Sequence, residues 1–374
     1  MEKIALIGDT HFNRKAENPT IKKLIKSGQA DFFDNLVIDL NDRGVKTILL
    51  TGDIFDTRNT INVESLVTAK RLFETKLSEF DVHIILGNHD MYYENSYDIT
   101  SIEMIEHLPN VTVYRDGVKA IKLLGHNWLM FPWIIPENVE KTVKFLESES
   151  KKSRSQQKIL FGHFETMGID MEGGNISTFG MKSDTFLGAS PLSISGHYHG
   201  KSITTGTDSR LVYLGSPYAM TFANSDQSHG YWLLDENLEF EFIENHVSPK
   251  FTTIRDTDDL DDLPDLSNKF VRFYMNNSKD RDQLFELRAK VESKNPLFLR
   301  PIPYKDGTVI TEATATSNEH EANNLLGMDT MSLSSVYIDA NHEHLPTLQT
   351  TDDSRKSVME KLFEYKETLN IKQG

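Results

Sequence analysis

Three features of the sequence point to an α/β protein with two stacked mixed β-sheets flanked by helices. Short apolar runs alternate with helical spacing up to Leu86, strand-like runs dominate from Val111 to Ile243, and five Gly-containing polar segments follow strands closely. Alternating strand and helix implies a largely parallel sheet with covering helices, since parallel neighbours need a crossover. The later run of strands calls for a second sheet stacked on the first.

Ile4–Ile7 is an unbroken apolar run and reads as a buried strand. Phe33, Leu36, Val37 and Leu40 recur at helical spacing over Asp31–Arg43, and Gly44 stops that helix. Thr47–Leu50 is the second strand. Val63–Phe80 is a long amphipathic helix carrying Leu66, Val67, Ala69, Leu72, Phe73 and Leu77, and Val82–Leu86 is the third strand. The strand-rich half follows, with Val111–Tyr114, Lys119–Leu123 and Trp128–Phe131. A helix over about Pro136–Glu149 then leads to the polar stretch Ser150–Gln157. Strands resume at Lys158–Phe161, Leu192–Ser195, Ser202–Thr205, Leu211–Leu214, Tyr231–Leu234 and Glu239–Ile243.

The composition shifts near Pro249, which divides the chain into a main domain over 1–248 and smaller parts. The acidic run Asp256–Asp265 reads as a solvated linker. Lys269–Met275 alternates like a strand, Asp280–Glu292 carries a helical stripe of Leu284, Leu287 and Val291, and Leu297–Leu299 is a strand broken by Pro301 and Pro303. Together they make a small βαβ appendage over 249–310. A polar linker over 311–350 is expected to be flexible, with Thr311–Asn324 its most polar part. The end, 351–374, is expected to be an amphipathic helix with Val358, Leu362, Tyr365 and Leu369 on one face.

Composition narrows the function. No apolar run approaches the roughly 20 residues that span a bilayer, and the N-terminus shows no signal peptide, so a cytoplasmic protein is expected. The absence of cysteine excludes disulfides and thiolate metal sites. A formal net charge of −16 argues against a free-standing nucleic-acid binder, because Lys and Arg neutralise phosphate in such complexes. It does not argue against a nuclease whose bound cations reverse the local field, or whose partner supplies the basic surface.

The five polar segments are Gly8-Asp9-Thr10-His11, Gly52-Asp53-Ile54-Phe55-Asp56, Gly87-Asn88-His89-Asp90, Gly162-His163 and Gly196-His197-Tyr198-His199. Four follow a strand directly and the fifth after one residue, where open α/β sheets place ligands. Carboxylate, amide and imidazole are donors for divalent metals. Residues two apart in extended chain point the same way, so Asp9 with His11, and His197 with His199, each present a pair to one pocket. A carboxylate such as Asp53 can bridge two cations. Two metals about 3.5–4 Å apart activate water and hold phosphoryl oxygens for in-line attack. Singly, each segment reads as a turn; the ordered set of five carries the inference.

The set resembles the calcineurin-like metallophosphoesterase superfamily and, within it, the SbcD-type repair nucleases and the recombination nucleases of T-even-like phages. The resemblance spans about Lys3–Ile243. Beyond the metal motifs it includes Gly52–Arg58, Gly180-Met181-Lys182, Tyr213-Leu214-Gly215-Ser216-Pro217 and the Gly230-Tyr231-Trp232 strand. It implies a four-layer αββα fold. It also implies one metal on Asp9, His11, Asp53 and His199, and a second on Asp53, Asn88, His163 and His197. Manganese is the expected ion, since His-rich sites suit softer metals than magnesium. His89 is implied as the transition-state residue beside Asn88. Asp90 either orients His89 or closes the turn, the latter being the plainer reading, and Asp56 receives no catalytic role. Arg58 and Lys182 are candidate DNA phosphate contacts, against the plainer reading of solvated cations. His126 and His229 read as structural or surface residues, and His342 and His344 as incidental. The Met167–Met181 stretch reads as core or loop, with a DNA-facing rim as the alternative.

The resemblance further implies 3′ to 5′ exonuclease and single-strand endonuclease activity on DNA in recombination, repair and replication. A phage-encoded protein of this kind works in the bacterial host cytoplasm. The βαβ appendage becomes a DNA cap and the terminal helix a docking segment for an SbcC-like coiled-coil ATPase. Val63–Phe80 and Ser101–His107 become a homodimer surface. The alternative is another phosphoesterase of the superfamily, acting on a small phosphomonoester or cyclic nucleotide. A non-enzymatic scaffold with a relic metal site is the third reading, disfavoured by the intact ligand set.

Overall fold

The computed structural model describes residues 2–14, 19–172, 175–222, 227–276, 278–279, 281–305 and 308–309. The expected linker over 311–350, with His342 and His344, and the expected terminal helix over 351–374 lie outside the described residues. The chain divides into two units at Thr252/Thr253.

The first unit opens with β1 (Lys3–Ile7), α1 (Pro19–Asp42), β2 (Thr47–Leu50), α2 (Val63–Arg71), β3 (Asp81–Ile85), α3 (Glu103–Glu106) and β4 (Val111–Tyr114). These four strands pair in parallel in the order β1-β2-β3-β4, joined by helical crossovers. α1 begins at Pro19 rather than Asp31. Gly28 lies within it, and its lack of a side chain is what lets Pro249 pack there, since a Cβ would meet the Pro249 ring at 2.4 Å. The long helix expected over Val63–Phe80 stays α-helical only to Arg71. It continues as a wide π turn over Leu72–Lys76, where the Leu77 N–H donates to the Leu72 carbonyl at 3.0 Å.

The second sheet is built from β5 (Lys119–Leu123), β6 (His126–Phe131), β7 (Ile159–Gly162), β12 (Leu192–Ser195), β13 (Ser202–Thr205) and β14 (Arg210–Tyr213), while four short strands between β7 and β12, β8 to β11 (Thr166–Met167, Asp170–Glu172, Asn175–Ile176, Met181–Lys182), form two separate pairs, β9 with β10 and β8 with β11. Its order is β13-β14-β12-β7-β6-β5. β6, β7, β12 and β14 are parallel, and β5 and β13 are antiparallel edges. The chain returns through β15 (Gly230–Asp235) and β16 (Phe240–Glu244), which extend the first sheet antiparallel to β1. Both six-stranded sheets are therefore mixed. α4 (Pro136–Ser150) and α5 (Ser183–Ala189) lie between strands of the second sheet.

Side-chain alternation stacks the layers. Ala5, Ile7, Ile48 and Leu50 point into a core shared with Phe33, Leu36 and Leu40 of α1. Their neighbours Ile4, Leu6 and Leu49 point the other way, onto Trp128, Met130, Phe161 and Ile194 of the second sheet. Leu129, Phe131 and Leu160 face outward again, against Leu146 of α4 and Phe186 of α5. Helix, sheet, sheet, helix is thus two mixed sheets in a calcineurin-like αββα arrangement.

The second unit has its own core of Ile254, Val271, Phe273, Met275, Leu284 and Val291. Its four-stranded sheet runs in the order β17 (Lys250–Arg255), β18 (Lys269–Asn276), β19 (Phe298–Lys305), β20 (Thr308–Val309), with α6 (Arg281–Glu292) linking the parallel pair β18 and β19. Three details correct the sequence reading. β17 adds a strand to the βαβ. Asp256, expected in a solvated linker, has a buried side chain that accepts from the Asn276 N–H at 2.9 Å and the Tyr304 hydroxyl at 2.8 Å. β19 also runs through Pro301 and Pro303. The two prolines are two residues apart, so both missing N–H groups fall on one edge of the strand. Over Phe298–Pro303, β19 is paired with β18 on one side only among the described residues.

Candidate metal centre

The loops that leave the C-terminal ends of β1, β2, β3, β7 and β12 bring all seven expected ligands into one cluster. Asp53 stands in its middle. Its Oδ2 lies 3.7 Å from His11 Nε2 and 3.4 Å from His163 Nε2, while its Oδ1 accepts the His89 backbone N–H at 2.8 Å. Asn88 Oδ1 lies 3.0 Å from His163 Nε2 and 3.2 Å from His197 Nδ1. His199 Nε2 faces His11 Nε2 at 3.0 Å. Asp9 Oδ2 accepts the His197 N–H at 2.9 Å, and its Oδ1 accepts from Thr51 Oγ1 at 3.2 Å. Among the described residues, donor atoms of Asp9, His11 and His199 lie within 4.8 Å of one another, and so do those of Asp9, Asp53 and His163. Asp9 therefore joins both groups, where the resemblance assigned sharing to Asp53.

The backbone makes this convergence possible at a local cost. His11, Asp53 and His197 adopt φ of 42°, 50° and 86°, a conformation that costs a non-glycine residue about 1–3 kcal/mol. Asp90 holds the Asp53 turn: its carboxylate accepts the N–H of Asp53 and Ile54 at 2.8 Å each and that of Gly87 at 3.0 Å. Both oxygens are engaged by backbone, which makes Asp90 the brace of the turn. Gly87 and Gly196 are required by close approach, since a Cβ on the first would meet Asp53 Oδ1 at 2.2 Å and on the second Asp9 Oδ1 at 2.3 Å.

The electrostatics of the cluster suit cations. Burial alone would raise Asp53, but His163, then His11 and His89, hold its carboxyl well below the usual range. Burial raises Asp9 to about 6 despite His163, with Asp53 adding to the effect. Burial raises Asp90 to about 7, again with Asp53 contributing. Burial works against a charged His163, yet Asp53 and Asp9 outweigh it and raise its pKa to about 9. Burial, then the neighbouring imidazoles, lower His197 to about 3 and His11 well below its ordinary value. The His163 Nδ1–H donates to the Thr51 carbonyl at 2.6 Å, so any second proton sits on Nε2, aimed at Asp53 and Asn88. That proton occupies the place a cation would take. Two imidazole nitrogens facing each other at 3.0 Å, His11 and His199, likewise call for a shared hydrogen or a cation. The donor set fits two divalent ions.

His89 lies beside the cluster, its ring centroid 5.0 Å from that of His11, and its Nδ1–H donates to the Asp56 carbonyl at 2.7 Å. Arg58 is ion-paired with Glu94 at 3.2 Å and Lys182 is exposed on β11; neither touches the seven ligands among the described contacts. His126 contacts the Glu236 carbonyl at the surface, and His229 is buried against Ser216, as their structural reading requires. Met167, Met171, Ile176 and Phe179 are exposed while Ile169 is buried in the core with Met181 packed against it, so the Met167–Met181 stretch is part loop and part core. Sequence reasoning missed two neighbours of the site. Asp56 Oδ1 lies 3.5 Å from His11 Nδ1 and is anchored by Arg14 at 3.1 Å. Trp133 packs its ring on His197 and His163, with centroids 5.2 and 5.8 Å away. Asp56 was visible as the last acid of Gly52–Asp56; nothing in the sequence singled out Trp133.

Comparison with known proteins agrees with this geometry. The chain is 28% identical over 249 residues to exonuclease subunit 1 of Enterobacteria phage T4, covering 66% of this chain and 68% of that protein. It is 26% identical over 261 residues to a putative phosphoesterase of Invertebrate iridescent virus 3, covering 68% of this chain and 70% of the relative. Among solved structures it is similar to a dimetal phosphatase from Danio rerio, at 13% identity and a TM-score of 0.39 over 62% of this chain and 91% of the other. The model of the calcineurin-like phosphoesterase family matches residues 2–201, more than half of the chain and all seven clustered side chains. The protein belongs to the calcineurin-like phosphoesterase family.

Proposed function

We propose that the protein is a dinuclear metal-dependent DNA nuclease, with 3′ to 5′ exonuclease and single-strand endonuclease activity, that processes DNA ends in recombination, repair and replication. The observation that carries this reading is the convergence of Asp9, His11, Asp53, Asn88, His163, His197 and His199, with His89 at their edge. The exonuclease name of the phage relative supports a nucleic-acid substrate within the family.

Asp9, His11, Asp53 and His199 would hold one ion, and Asp53, Asn88, His163 and His197 the other, with Asp9 within reach of both. Manganese is the proposed metal. When bound, the cations supply Lewis acidity: they polarise phosphoryl oxygen and lower the pKa of water. The chain's own part is positional. Thr51 and Asp56 fix the tautomers of His163 and His89 through their carbonyls. With Nδ1 so committed, His89 has Nε2 left to face substrate, where a proton can meet developing charge or the leaving oxygen.

The second unit would guide DNA, and residues 351–374 would dock on an SbcC-like ATPase. A homodimer through α2 is supported by exposed Val63 and Val67. The deciding assay sets labelled duplex and single-stranded DNA beside p-nitrophenyl phosphate, with manganese, with and without the ATPase. DNA cleavage above monoester turnover is the expected result. Monoester or cyclic-nucleotide turnover with intact DNA would replace the nuclease reading with that of a small-substrate phosphoesterase.

A further inference from the structure

A cavity of about 470 Å³ opens between α1 and the start of α2, lined by Lys22, Lys23, Lys26 and Glu64 over a floor that includes Phe12 and Gln29. All belong to the first unit. On a chain of net charge −16 this is a concave site with three amines and one carboxylate in its wall. Glu64 is engaged by Lys26 and also feels Lys22, so among the described residues the lining holds two more positive charges than negative ones.

Local stability does not explain this arrangement. Lys22 and Lys26 are four residues apart on one helix face, where like charges repel by a few tenths of a kcal/mol. Lys22 also sits in the first turn of α1, which has no acidic residue, so the helix dipole opposes it. Both effects are offset when an anion occupies the cavity, since it attracts the amines and is favoured by the helix N-terminus.

The floor connects the cavity to the metal centre. Gln29 is buried, and its side-chain amide faces the carbonyl oxygens of Thr10 and His11 at 3.4 Å each and the Tyr218 hydroxyl at 3.1 Å. Phe12 follows His11 directly, and its N–H donates to the Ile54 carbonyl at 2.7 Å. The cavity therefore lies behind the first metal-ligand loop, on the same structural element.

We propose that Lys22, Lys23 and Lys26 bind backbone phosphates of a nucleic-acid strand away from the bond being cut. This rests on the nuclease reading for its substrate class. It also gives an acidic chain its own electrostatic hold on a polyanion, through phosphate contacts that carry no sequence information.

The test compares the full-length protein with a triple charge reversal (Lys22→Glu, Lys23→Glu, Lys26→Glu) and a milder triple Lys→Gln variant. Fluorescence anisotropy with a labelled single-stranded oligonucleotide is measured in EDTA across a salt series. Turnover of bis(p-nitrophenyl) phosphate with manganese is measured beside it. The reversal should weaken oligonucleotide binding by about tenfold or more and make the log–log salt slope shallower by about 2, as expected for three lost phosphate contacts. The Gln variant should fall between it and wild type, and small-diester turnover should stay at the wild-type rate in both. Unchanged affinity and slope in both variants would overturn the proposal. So would loss of polyglutamate binding with oligonucleotide binding intact, which would assign the cavity to an acidic protein segment. So, too, would competition by millimolar inorganic phosphate as effective as by oligonucleotide, which would assign it to a free anion. Absence of small-diester turnover in the wild type would count against the metal-centre reading instead, and the anisotropy series would still decide the lysines.

Discussion

His89 and Asp53 separate two kinds of residue in the centre. His89 touches the cluster from its edge, with its N–H bonded to Asp53 and its Nδ1 to the Asp56 carbonyl. His89→Ala should lower kcat by roughly 10²–10⁴-fold, the range for loss of a general acid or base, and leave manganese affinity, read by calorimetry, near wild type. Asp53→Asn should abolish high-affinity binding itself. A pH series addresses His163, whose pKa is raised to about 9 because Asp53 and Asp9 outweigh the effect of burial. Below that pH a proton competes with the cation for Nε2, so apparent manganese affinity should climb between pH 7 and 9, by up to about tenfold per unit. A flat affinity over that range would remove His163 from the ligand set. These residue types were legible in the sequence, because Asp-x-His and Asn-His after a strand are chemically conspicuous. Trp133 was not, since a tryptophan after a strand is ordinarily core.

The ligand loops work as elements because glycine and strained backbone set their path. Gly87→Ala would drive a methyl group against Asp53. It should cost about 1–3 kcal/mol of stability from overpacking and weaken metal binding by about 10–100-fold, as for other changes that misorient ligands. Denaturant melts of the metal-free and manganese-loaded variant would separate the two effects. Most strand positions were legible from period-two and unbroken apolar runs, and Thr47–Leu50, Val111–Tyr114, Lys119–Leu123, Leu192–Ser195 and Ser202–Thr205 match residue for residue. The first half of α1 was not; it contains Gly28, which helix interiors disfavour and on which Pro249 packs. Nor was the passage of β19 through Pro301 and Pro303, where among the described residues β19 has β18 on one side only.

At the scale of the whole molecule, metal binding should be coupled to folding. Manganese at a hundredfold excess over Kd should stabilise the protein by about 2.7 kcal/mol per site, seen as a rise in Tm that EDTA reverses. A chain ending at Thr252 keeps all seven clustered side chains. It should retain manganese-dependent hydrolysis of a small phosphodiester while losing activity on long DNA, if the second unit guides the strand. If residues 351–374 dock an SbcC-like ATPase as proposed, removing residues from Asp352 onward should abolish its pull-down and spare small-diester turnover. Retained pull-down would place the docking segment elsewhere.

What the chain announces unaided is short-range: which runs alternate at strand or helix period, where glycine permits a sharp turn, and which side chains can coordinate a cation. Those properties depend on neighbours a few residues away. What folding adds is the pairing of groups far apart in the chain. The two oxygens of Asp90 spent on the Asp53 turn, Trp133 against His163 and His197, and a lysine-lined cavity behind His11 each depend on neighbouring strands or helices of one layer, while Asp9 shared between both donor groups depends on two sheets stacking in one register. That register is set by burial summed over the interleaved cores, a cooperative quantity that no local stretch of sequence contains.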